Sequence, residues 1–180
     1  FKYFDTNTLK MLKPIANILI SSSPFLVSLP FTLNRTIQFD INEEKALWQP
    51  PSFVFGIVLP SIYFLLFHMN MNIFTSNFPS YFINQNKLIT FFESLSQGLW
   101  LYNFRYNNKI KGRSPIQKFN SLNNLTLLWL IGVFRINNFI NFFGNFKKSL
   151  VINKYYFPYF IWINFAWILA FQLYCNITKI

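Results

Sequence analysis

The sequence predicts an all-α integral membrane protein, a single bundle of five hydrophobic helices, from three observations. Charged residues make up only 12% of the 180 positions, about half the ~25% of an ordinary soluble domain. Aromatic residues reach 22%, with 25 Phe, and so much aromatic surface in water would aggregate. The apolar residues also gather in runs near the ~20 residues that cross ~30 Å of hydrocarbon.

The first run covers 12–31, LKPIANILISSSPFLVSLPF. Its three prolines, Pro14, Pro24 and Pro30, would kink or bound a helix in water, but neighbouring helices in a bundle can re-satisfy the freed carbonyls. The second, 52–74, and the fifth, 155–175, are the clearest, since neither holds a Lys, Arg, Asp or Glu. The third, 88–104, is the weakest. It carries Glu93, Ser94, Ser96 and Gln97 and so should face protein rather than lipid. The fourth, 119–138, contains LTLLWLIGVF and then Arg135.

Loops take the remaining charge. Thr32–Pro51 holds Asp40, Glu43 and Glu44; Arg105–Lys118 holds five cations and no acid; Asn145–Lys154 adds Lys147, Lys148 and Lys154. The net charge of +11 raises nucleic-acid binding, which needs basic residues clustered on one face of a soluble module. Here they sit in the gaps between apolar runs, where anionic headgroups lie, so no nucleic-acid partner is expected. Five spans divide the cations almost evenly between the two sides, and the positive-inside rule then fixes no orientation. The single cysteine, Cys175, excludes an intrachain disulfide and any CxxC-type metal set.

The chain opens at Phe1 rather than Met, which leaves room for a removed N-terminal piece. Its bias toward Phe, Ile, Asn and Lys is what AT-rich coding DNA produces. That bias fits an organelle-encoded protein or an AT-rich nuclear genome, and the expected location is a mitochondrial membrane.

Two segments carry more than composition. From Leu47 the chain reads LWQPPSFVFGIVLPSIYF, and near the other end YFPYFIWINFAWILAF. The first resembles the segment of the TspO/translocator protein family in which the first loop enters the second helix. Trp48, Pro50, Pro51, Val54, Val58 and Tyr63 fall on its spaced Trp, Pro-Pro, Val and Tyr positions. The second is similar to the family's fifth helix at Pro158, Tyr159, Trp162, Phe165 and Leu169. The departures are Phe53 and Leu59 in place of tryptophans and Ala170 in place of an asparagine. Gln97, Trp100 and Asn103 trace the third-helix pattern loosely.

The resemblance implies a five-helix bundle with an interior site, closed by the first loop, for porphyrin- or sterol-like ligands, and no enzymatic activity. Trp48, Pro50, Pro51, Tyr63, Trp100, Tyr159 and Trp162 are the residues it points to. Flat apolar ligands suit aromatic-lined pockets with few polar groups, and Lys45 and Arg35 are candidates to meet a propionate. It also implies a homodimer, although no GxxxG motif is present. The substituted tryptophans allow a second reading, an accessory structural subunit of a respiratory complex in the mitochondrial inner membrane, with other membrane subunits as partners.

Three further features have a chemical reading beside a plain one. Glu93 is the only carboxylate inside a predicted span, and such residues are paired or functional by default. Arg135 is its expected partner in a structural ion pair, since no second intramembrane acid continues a proton relay. His68 with Met69 and Met71 admits axial haem ligation, though a lone His at a span end is ordinarily an interfacial residue. Leu169, Tyr174 and Lys179 satisfy a sterol-recognition pattern that is degenerate. No Ser/His/Asp set, glycine-rich phosphate loop or metal cluster is seen, so no catalytic residue, metal or obligate cofactor is expected.

Overall fold

Five helices account for every regular element in the computed structural model, which describes residues 6–33, 52–105 and 115–175. They are α1 (Thr6–Leu33), α2 (Ser52–Thr75), α3 (Ser80–Arg105), α4 (Pro115–Phe143) and α5 (Phe146–Cys175), and no strand occurs among the described residues. The shortest has 24 residues and the longest 30, about 36 to 45 Å at 1.5 Å per residue. Three of them, α1, α2 and α4, are both long and apolar enough to cross a membrane.

The cross-helix bonds fix the topology. Thr90 pairs with Asn70 and Gln97 with Tyr63, so numbers rise on α3 as they fall on α2, and the two run antiparallel. The same holds for α4 and α5, where Trp129 bonds Asn164 and Thr126 bonds Trp167. By contrast α1 and α3 keep separations of 71 and 73 residues, and α3 and α5 keep 63 and 62, which makes α1, α3 and α5 parallel. One end of the bundle therefore gathers the two short turns, 76–79 and 144–145, with the start of α1. The other gathers the ends of α1 and α3 with the starts of α2 and α4.

Four helices, α1, α3, α4 and α5, start earlier than the apolar runs suggest, α3 and α5 by the most. The third run points to a start at 88, yet α3 begins at Ser80, where Phe82 and Ile83 donate to the Pro79 carbonyl at 3.0 and 3.2 Å. The stretch Asn145–Lys154, expected as a loop, is helical from Phe146. Gly144 takes φ +63°, the left-handed conformation that ends a helix at low cost in glycine. Asn145 Oδ1 then accepts from the Lys147 N–H at 2.7 Å, capping α5 at once. Lysine is a good helix former, so a charge run does not by itself mark a loop.

One proline inside a helix, Pro24, is accommodated locally. Pro24 cannot donate to the Ile20 carbonyl, and Ser23 Oγ donates to it instead at 2.7 Å. At the turn end Phe82 stacks on Phe142 at 3.8 Å, and Phe78 and Phe143 add edge contacts. This aromatic cluster ties the start of α3 to the end of α4.

Large apolar side chains cover much of the exterior, and several polar ones are buried beside an apolar core. Phe64 and Ile161 are 69% and 66% exposed, while Asn70, Asn86, Thr90, Glu93, Gln97 and Arg135 are buried to 1% or less. Water penalises both halves of that pattern. Hydrocarbon around such a bundle would remove the penalty on the apolar exterior.

Candidate functional site

The polar interior is built from one face of α3. Residues 86, 90, 93/94 and 97 recur at helical spacing, and all point into the bundle. On the opposite face Leu88, Phe91, Phe92, Leu95 and Leu99 are exposed. Helix α3 thus reads as a polar stripe and an apolar stripe, which explains why its run is the weakest as a span.

Glu93 is the centre of the first group. Arg135 of α4 donates through Nη1 to Glu93 Oε2, and Tyr156 of α5 donates to Oε1. Arg135 Nη2 reaches Asn70 Oδ1 of α2 and, at 3.2 Å, Thr90 Oγ1. The guanidinium also lies 5.2 Å from the Tyr156 ring centre and 5.8 Å from that of Phe139, within cation–π range. Four helices meet here around one cation and one anion. An isolated buried charge is very costly, and this one is compensated by an opposite charge and three neutral groups.

One turn nearer the other end, Gln97 is the centre of the second group. Its Nε2 donates to the Pro24 carbonyl of α1 at 3.1 Å and pairs with Tyr63 Oη of α2. Its Oε1 accepts from Tyr159 Oη of α5 at 3.0 Å. Trp100, three residues on and hence on the same face of α3, is 6% exposed. Ser94 and Ser23 join α3 to α1 at 2.7 Å.

Of the residues pointed to in the sequence, the structure brings Tyr63 and Tyr159 together on Gln97, with Trp100 beside it. Trp162 is half-buried, its ring 5.4 Å from Phe165. Glu93 and Arg135 are in contact. Trp48, Pro50 and Pro51, with Arg35, Lys45 and Lys179, lie outside the described residues. His68 is exposed, with its ring 5.1 Å from that of Tyr155, and no metal-ligating cluster exists among the described residues.

Sequence reasoning does not single out Asn70, Thr90 or Tyr156. Asn70 carries a legible signal, as one of two amides, with Asn72, in a mostly apolar run. Tyr156 carries none, because it stands in a stretch where nearly every neighbour is aromatic. Compared with known proteins, the chain matches no family model, no curated protein and no solved structure.

Proposed function

We propose that the chain is a TspO-like, five-span membrane protein, non-catalytic, which binds a flat apolar ligand of porphyrin or sterol type in the half of the bundle where α1 ends and α2 starts. The observation that carries this reading is the convergence of Tyr63, Gln97, Trp100 and Tyr159, from α2, α3 and α5, at one level beneath that end. Aromatic faces around a single amide are the chemistry such a ligand needs. In support of five spans, α3 turns its polar residues inward and its large apolar residues outward. In α5 the lysines stop at Lys154, and an uncharged stretch follows. The composition supports a mitochondrial membrane.

The test is fluorescence titration of the detergent-purified protein with protoporphyrin. Saturable quenching of tryptophan emission is expected, weakened by Trp100→Leu and by Gln97→Ala. A linear, non-saturating response in the wild-type chain would remove the ligand reading.

One observation favours a second reading. The Tyr63 and Tyr159 hydroxyls and the Gln97 amide satisfy one another and are at most 3% exposed, so the chain's own side chains occupy that part of the interior. On this view the bundle is an accessory structural subunit of a respiratory membrane complex. Co-purification with such a complex, together with no porphyrin quenching, decides for it.

A further inference from the structure

At the turn end, away from the Gln97 group, lies a cavity of about 520 Å³. Its wall is formed by the end of α2, the 76–79 turn, the end of α4 and the first turns of α5. Met69, Phe78, Val151 and Ile152 supply apolar lining, and Lys148 and Lys154 supply two cations. Lys154 Nζ stands 4.9 Å over the Tyr155 ring. Its size falls within the roughly 300–1,000 Å³ of small-molecule sites.

The charges decide what fits. Glu93 is the only carboxylate among the described residues, and it is buried against Arg135. Neither lysine of the cavity has an acidic partner among those residues. Lys147, Lys87 and Lys13 belong to the same end of the bundle. Along α5 Val151 and Ile152 lie between Lys148 and Lys154, so two cations flank an apolar strip over ~9 Å of axial rise. A soluble anion uses only the lysines, and a neutral apolar molecule only the strip between them. A phosphate group carried on a hydrocarbon chain uses both.

We propose that this cavity binds an anionic phospholipid, its phosphate between Lys148 and Lys154 and an acyl chain along Met69, Val151 and Ile152. Basic pockets between membrane helices are suited to such headgroups. The site rests on the membrane reading above but not on the porphyrin site, which lies on the other half of the bundle.

Native mass spectrometry of the delipidated protein in detergent tests it, with phosphatidylglycerol, phosphatidylcholine and inorganic phosphate as probes. Phosphatidylglycerol adducts should persist at activation energies that strip phosphatidylcholine. Lys148→Gln with Lys154→Gln should weaken phosphatidylglycerol binding about thirtyfold, as expected for two lysines at an anionic headgroup. Val151→Trp should abolish binding with both lysines in place, because it fills the apolar part. Lys87→Gln, at the same end but outside the cavity, should leave binding unchanged. Each variant is first shown to keep the wild-type helical circular dichroism and melting temperature. Equal retention of the two lipids, or a Lys87→Gln effect as large as the double substitution, overturns the proposal. So does inorganic phosphate that competes with phosphatidylglycerol at equal concentration, since the acyl chain then contributes nothing. A chain monodisperse without detergent would instead overturn the membrane reading, a separate outcome.

Discussion

Gly132 on α4 lies so close to Tyr156 on α5 that a β-carbon added there would sit 3.1 Å from the tyrosine hydroxyl. The same carbon would be 2.8 Å from Phe160 Cδ2, closer than real contacts allow. The small residue therefore lets α4 and α5 approach and holds the Tyr156 hydroxyl on Glu93. Gly132→Ala is expected to lower stability by about 1–3 kcal/mol, the usual cost of overpacking. Gly56 is the control, since a β-carbon added there would meet nothing within 4 Å. Gly56→Ala should be neutral or raise stability by up to ~1 kcal/mol through helix propensity. Thermal unfolding by circular dichroism in one detergent reads both.

Breaking the Glu93–Arg135 pair on one side strands a buried charge. Glu93→Gln is expected to cost about 3–5 kcal/mol. Glu93→Leu combined with Arg135→Met should cost less than either single change, because no lone charge remains and Thr90 still bonds Asn70 at 3.3 Å. A double-mutant cycle on unfolding free energy measures this. Additive single effects would mean that the two side chains contribute independently.

The aromatic cluster at the turn end should behave as a packing core. Phe82 is fully buried and contacts Phe78, Phe139, Phe142 and Phe143. Phe82→Ala is expected to cost about 3–5 kcal/mol, and Phe82→Leu clearly less. Limited proteolysis within 76–79 gives a local readout alongside the melting temperature.

The α4–α5 seam holds two interhelical hydrogen bonds, Trp129 to Asn164 at 3.0 Å and Trp167 to Thr126 at 2.9 Å. Such bonds within membrane bundles contribute about 0.6 kcal/mol each. Thr126→Val and Asn164→Leu should each move stability by roughly that amount, well below the Glu93→Gln effect. A loss as large as that of Glu93→Gln would show that these seam bonds contribute as much as the Glu93–Arg135 pair, which joins α3 to α4.

Much of the fold is legible in the sequence because apolar run length is a strong signal: 52–74 against Ser52–Thr75 differs by one residue at the far end. The ends at Ser80 and Phe146 are not, because Lys87, Lys147, Lys148 and Lys154 interrupt the apolar pattern while suiting a helix. Hydrophobicity reports where lipid begins, and hydrogen bonding decides where a helix does. At the site, Glu93 and Arg135 stand out by charge alone. The link between Tyr63 and Tyr159 needs Gln97 as intermediary, and three-body geometry has no spacing in a sequence. Tyr156 is hidden for the same reason, since it matters only through a residue on another helix.

The pairing of Arg135 with Glu93 has an electrical consequence. In a bundle that spans the bilayer, an uncompensated guanidinium at that depth couples to the transmembrane voltage, up to ~2.3 kcal/mol per 100 mV for one charge carried fully across. With the carboxylate beside it, the interior carries no net charge for the field to act on. Were α3 and α4 to move together across a bilayer, this neutral pair would do no net electrical work.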